Sequence, residues 1–131
     1  MTKLLDLICI AIVLLLTFWT YTFVHAEEWS DDEVVQAIYE AEGGRKASKP
    51  YGIMLHKCNW DNIGYCELAC YQTVRKNRKR YAEWGHKSFP DYLSFLQSRY
   101  APTENATNDP LGLNRNWLKN VTSILERKHG K

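Results

Sequence analysis

The chain has 131 residues, a formal net charge of +2 and four cysteines. That length holds one small domain with a single core and excludes two. Neither a repeat nor a low-complexity tract breaks it, which sets aside solenoids and fibrous classes.

At the N-terminus Lys3 opens a short charged start, and an uncharged run follows from Leu7 to His25. Val24-His25-Ala26 approximates a small-x-small cleavage site, so residues 1–26 resemble a secretory signal peptide and 27–131 are the mature domain. An uncleaved membrane anchor is the alternative, because the run nears bilayer-spanning length, although Thr17, Thr20, Tyr21 and Thr22 weaken its apolar character. Either way the folded part is expected outside the cytoplasm: periplasmic, extracellular, or anchored and facing out. Membrane contact is then expected only through an uncleaved leader, and nucleic acid is not an expected partner.

Ser30-Asp31-Asp32-Glu33 matches a capping box, with the serine accepting a free amide and Glu33 reaching back. The helix it opens is predicted to run to Glu42. Val34, Val35, Ile38 and Glu42 recur at the 3-, 4- and 7-residue spacings of one face. Glu40 shares its side with Glu33 and Gln36 and reads as solvated. A carboxyl on the buried side of a helix end loses hydration, which disfavours its charged form and raises its pKa. That is the setting of a general acid near neutral pH. Gly43-Gly44 ends the helix and leaves room beside the carboxyl. The plainer reading makes Glu42 a helix-end cap or the partner of Arg45.

Residues 43–62 read as irregular. Of the cysteines, Cys9 falls in the leader, leaving Cys58, Cys66 and Cys70. Cys66 and Cys70 stand one helical turn apart, where a mutual bridge is strained, so Cys58 is expected to bond to one of them and one thiol is left over. A zinc site is the runner-up, but no histidine has a convincing ligand spacing, His56 beside Cys58 being weak. Neither a metal nor a cofactor is expected.

A second helix is predicted over about Tyr65–Trp84, with Cys66, Cys70, Val74, Asn77, Tyr81 and Trp84 on one face and Gly85 as its stop. Asn77 is out of place on that face. The basic run Arg75–Arg80 reads as the solvated side of this helix rather than a polyanion site. Ser88-Phe89-Pro90-Asp91 is predicted to start a third helix with Pro90 in its first turn and an apolar stripe of Tyr92, Leu93, Leu96 and Tyr100. Ala101–Leu113 reads as a loop. A last helix after Asn114 buries Trp117, Leu118, Val121, Ile124 and Leu125. No segment alternates as a strand does, so the expected class is all-α, a small helical bundle stapled by one disulfide.

Aromatic side chains are plentiful, five Trp and eight Tyr over the whole chain. Their faces stack on pyranose rings, and Trp60, Tyr51 and Tyr100, on or beside loops, are the better cleft candidates, whereas Trp84 and Trp117 fit core stripes.

The order of segments is similar to that of the lysozyme-like lytic transglycosylases. Ala37-Ile38-Tyr39-Glu40-Ala41-Glu42-Gly43-Gly44 stands where that group has a helix ending in its catalytic Glu, usually followed by Ser and Gly. Tyr51-Gly52-Ile53-Met54 stands where it has Gly-Leu-Met-Gln. The stretch Phe95–Pro102, then Asp109-Pro110 and Asn114-Arg115-Asn116-Trp117, resembles the ends of small secreted murein-degrading domains. Two positions depart from the pattern: Gly43 replaces the Ser, and Leu55 the Gln. The resemblance implies a lysozyme-like helical fold, Glu42 as the catalytic acid, Tyr100 as a late tyrosine in the cleft, and Tyr51 and Met54 as substrate contacts. It implies peptidoglycan glycan strands as the partner, cut at a β-1,4 glycosidic bond by a single Glu, with an anhydro ring closed on the sugar. Two further readings stand beside it: a hydrolytic lysozyme with Asp61 as second carboxylate, Glu67 and Asp109 being the other possible partners, which needs the two groups about 5 Å apart or wider, and a non-catalytic exported glycan-binding or adaptor protein.

Overall fold

A computed structural model of the chain describes residues 6–16, 29–103, 109 and 112–130. The class is all-α: among the described residues there are helices and no strands. Residues 6–16 form helix α1, with apolar side chains such as Leu7 and Leu14 exposed. No described helix is long and apolar enough to cross a membrane. The cleavage motif Val24-His25-Ala26 lies outside the described residues.

Helix α2, Asp31–Ala41, begins as its sequence dictates. The Ser30 hydroxyl accepts from the Glu33 amide at 3.3 Å, and the Glu33 carboxylate accepts from the Ser30 amide at 2.7 Å. Val34, Val35, Ala37 and Ile38 are buried along one face. Glu42 is the C-cap, and Gly43 at φ 104° turns the chain left-handed, a conformation glycine adopts without a Cβ penalty. The stretch to residue 62 is more ordered than the sequence suggests, containing single 3-10 turns at Gly44–Lys46, Pro50–Gly52 and Trp60–Asn62.

Helix α3 is Ile63–Glu83, two residues earlier at its start than predicted because Asn59 closes the preceding turn, its side chain accepting from the Asn62 amide at 3.0 Å. Cys66, Cys70, Val74 and Asn77 are its buried residues. Cys58 bonds to Cys66, with Cα atoms 5.1 Å apart, and Cys70 is a free, buried thiol. The Asn77 amide donates to the Thr73 carbonyl at 2.9 Å, while its Oδ1 has no partner among the described residues.

The basic run is not uniformly a solvated face. Arg78 turns inward: Nε meets Asp31 Oδ1 at 2.5 Å, Nη2 donates to the Trp29 carbonyl at 2.8 Å, and the guanidinium lies 4.2 Å over the Tyr92 ring. Its planar fork thereby ties the start of α2 to α3 and α4. Arg75, Lys76 and Lys79 are exposed.

Helix α4, Tyr92–Tyr100, starts later than predicted. Asp91, not a residue upstream of Pro90, is the N-cap, accepting from the Ser94 amide at 2.8 Å and the Ser94 hydroxyl at 2.9 Å. A carboxylate satisfies a free amide directly, so it sets the boundary and leaves Pro90 outside the helix. After the turn Leu113–Asn116, helix α5 covers Trp117–Lys128. Helix α2 packs against α5 and α3, and α4 against both of these. Val34, Ile38, Cys70, Val74, Leu96, Val121 and Leu125 meet in the core with no exposure. Each large apolar side chain among them contributes roughly 1.5–3 kcal/mol of transfer free energy.

Candidate functional site

Glu42 sits where α2 ends and α5 begins. Its carboxyl is half-buried, and loss of hydration raises its pKa above the ordinary carboxylate value, opposed by one hydrogen bond from Trp117. That bond runs from the Trp117 indole Nε1 to Oε1 at 3.1 Å. Among the described residues Glu42 has no ion pair, and Arg45 is exposed, so the pairing with Arg45 is not formed. Glu40 points outward and pairs with Lys128 at 2.8 Å and Arg127 at 3.5 Å.

The turn Pro50–Gly52 packs against the carboxyl. Tyr51 adopts φ 58° and ψ 14°, the left-handed region that a bulky residue enters only under tertiary constraint. Two contacts supply the constraint. Its ring is 4% exposed and packs 5.0 Å from that of Tyr39, and its carbonyl accepts a short hydrogen bond from the Tyr100 hydroxyl. The strained turn brings Gly52 against the Glu42 carboxyl, where a Cβ would fall 2.6 Å from Cδ.

Tyr100 closes the cluster from α4. Its ring stacks on Trp117, centroids 5.5 Å apart and planes at 29°. Its oxygen is also 3.6 Å from Cys70 Sγ. A phenol has one proton, and a carbonyl can only accept, so the proton goes to Tyr51 and the thiol is the donor of the second pair. Burial pushes the Cys70 thiol up to about 12 and the Tyr100 phenol well above its usual value, so both stay neutral. Tyr51 is likewise raised to about 12, by burial first and then by the charge of Glu67.

The other expected site residues stand elsewhere or in other roles. Tyr51 has its ring in the core and presents its carbonyl to Tyr100, supporting the site from behind. Met54 is 70% exposed on the surface beyond Gly52. Trp60 donates from its indole to the Ala47 carbonyl at 3.0 Å and shows one edge to solvent. Asp61 and Glu67 are exposed. Asp109 is occupied, its two oxygens accepting from the amides of Leu113 and Asn114 at 2.8 Å each. Cys58 and Cys66 are consumed by the disulfide.

Trp117 enters the site although its helical spacing places it in the core. It is 5% exposed, so its ring is part of the core while its N–H reaches the Glu42 carboxyl. A buried indole is a donor with no acceptor of its own, and asking where that proton goes points to a carboxyl. An open groove of about 280 Å³ lies apart from Glu42, on the outer side of α3, with Leu55, Tyr65, Leu68, Gln72 and Lys76 among its walls.

Comparison of the chain with protein-family models, with curated proteins and with solved structures gives no match.

Proposed function

We propose that this protein is an exported, lysozyme-like enzyme that cuts peptidoglycan glycan strands at a β-1,4 glycosidic bond, with Glu42 as its single acid and base, by lytic transglycosylation. The observation that carries the reading is the state of Glu42, a carboxyl half out of water at a helix end, with one neutral donor and no cation paired to it among the described residues. A group so placed keeps its proton to higher pH than an exposed glutamate, which is what protonating a leaving glycosidic oxygen near neutrality requires. The carboxylate then formed takes the proton from the sugar's own 6-hydroxyl, whose oxygen closes an anhydro ring on the oxocarbenium-like carbon. The substrate's N-acetyl group stabilises that carbon in the interval.

The single-acid route is favoured over hydrolysis with a paired carboxylate because the alternatives are poorly placed. Asp109 is spent on two backbone amides, and Asp61 sits exposed on the Trp60–Asn62 turn. The segment order of Ala37–Gly44 and Tyr51–Met54, similar to that of the lytic transglycosylases, names the substrate class.

The test incubates the protein and Glu42→Gln with purified peptidoglycan and determines the soluble products by mass. Anhydro-ended fragments from the wild type, reduced at least about 100-fold in the variant, are expected. Ordinary reducing ends would turn the reading to a hydrolase. Binding without any release would leave a non-catalytic glycan-binding protein, and full activity in the variant removes Glu42 as the acid.

A further inference from the structure

We propose that Trp117 is the positioning residue of Glu42, its indole N–H fixing Oε1 as an acceptor so that Oε2 alone carries and delivers the proton. The inference rests on the reading of Glu42 as the acid and adds the means by which that acid is oriented.

An indole N–H can donate and cannot accept. At 3.1 Å from Oε1 it needs an accepting oxygen, and the carbonyl oxygen of a protonated carboxyl accepts better than its hydroxyl oxygen. The protonated carboxyl therefore has its hydrogen on Oε2, for which no other hydrogen-bond donor stands among the described residues. Gly43, the next residue in the chain, has no side chain to offer, so the donor comes from 75 positions away.

The donor itself is held in place. Trp117 stacks on Tyr100, and Tyr100 is anchored by its hydroxyl to the carbonyl of Tyr51. Tyr51 precedes Gly52, whose missing Cβ admits the carboxyl. One closed circuit thus runs through the Pro50–Gly52 turn, α4, α5 and the end of α2, and each member limits the rotation of the next. A loose tryptophan would not select one oxygen; a stacked and buried one does.

The groups facing Glu42 do not confuse its titration. Cys70 from α3, Tyr100 from α4 and Tyr51 from the turn are neutral well above pH 8. Trp117 from α5 does not titrate. Glu67 on α3 adds a charge whose field reaches Tyr51 and Cys70.

Trp117→Phe keeps a ring for Tyr100 and deletes the N–H. Two measurements on the full-length protein read the result. The first follows the Glu42 side-chain carbon by NMR through pH in protein labelled at glutamate, with Glu42→Gln to assign the signal. Losing a donor that favours the charged form should raise the midpoint by about one pH unit. In 5-fluorotryptophan-labelled protein, whose indole N–H is a stronger donor in an unaltered fold, the midpoint should fall. The second measurement is peptidoglycan cleavage: kcat is expected about tenfold lower with KM unchanged, and the alkaline limb of the pH profile should move up with the midpoint. A midpoint that stays put in both proteins overturns the proposal and returns Trp117 to a plain core role. The NMR arm needs no turnover, so a moved midpoint supports the pairing even where the wild type releases nothing, and that lack of release counts against the glycosidase reading alone.

Discussion

Gly52 and Glu42 occupy space that admits no side chain between them: a Cβ on Gly52 would lie 2.6 Å from both Cδ and Oε2 of the carboxyl. Gly52 also sits at φ 65°, so two independent reasons demand glycine there. Gly52→Ala is expected to lose roughly 1–3 kcal/mol of stability, from backbone strain plus displacement of the carboxyl. A double-mutant cycle separates the two: with Glu42→Ala present the clash is gone, and the alanine should cost only its positive φ, close to 1 kcal/mol. Urea unfolding of the four proteins reads the difference. Additive losses would mean that the carboxyl moves aside freely and that the fit is incidental.

Arg78 is expected to be worth more than the rest of its basic run. Its side chain is 12% exposed and satisfies the Asp31 carboxylate and the Trp29 carbonyl together. Arg78→Met should cost roughly 3 kcal/mol, because it strands the half-buried Asp31 carboxylate. Lysine keeps the charge but not the fork, so Arg78→Lys should recover only part of the loss. Lys76→Met, on the exposed side of α3, should stay within about 0.5 kcal/mol. Equal losses at Arg78 and Lys76, measured by denaturant midpoints, would show the clamp to be inert.

Local chemistry made much of this molecule readable before any coordinates. The capping box at Ser30 and the apolar spacing of α2 are decided within a turn or two of helix, as is the α5 stripe, in which Trp117, Val121, Ile124 and Leu125 are buried and Leu118 is partly buried. Bond geometry disfavours a Cys66–Cys70 bridge, but the choice of Cys66 over Cys70 as partner of Cys58 needs the path of the chain. What escaped depends on contacts across the fold. Arg78 meets Asp31 across 47 positions, and Trp117 meets Glu42 across 75. A periodic pattern says which side of a helix is buried, but not which polar atom on a neighbour a buried donor will find. At the start of α4 Pro90 and Asp91 compete for the boundary, and capping of the Ser94 amide by Asp91 decides it.

The disulfide and the spare thiol should behave differently in solution. Cys58–Cys66 closes a loop of eight positions, for which the chain-entropy relation gives roughly 2.5 kcal/mol at 25 °C. Reduction should lower the unfolding free energy by about that amount. Cys70, buried and with its pKa pushed up to about 12, should resist iodoacetamide at pH 8 in the folded protein and react once it is unfolded. Rapid labelling of Cys70 under native conditions, read by peptide mass, would mean that the packing around Tyr100 opens readily.

Glu33 is one contributor to stability in acid. The Ser30 amide, then the Ser30 hydroxyl and His129, favour its charged form and hold it down at about 2, against an ordinary value of 4.5. A depressed folded pKa contributes stability that is complete above the unfolded value and is lost as pH falls through the interval between the two. The contribution should therefore be constant near neutrality, decline from about pH 4.5 and vanish near pH 2. Glu33→Gln isolates the charge, because glutamine can still return a hydrogen bond to the Ser30 amide. At pH 7 the variant should melt below the wild type, and the gap in Tm should close as pH is lowered to 2. His129 reaches the same carboxylate from the end of α5, Nε2 to Oε1 at 2.6 Å, so the wild type should also lose protection of the α5 C-terminus in hydrogen exchange over that range. A gap in Tm that is unchanged between pH 7 and pH 2 would mean that Glu33 acts through its hydrogen bonds alone, with no part played by its charge.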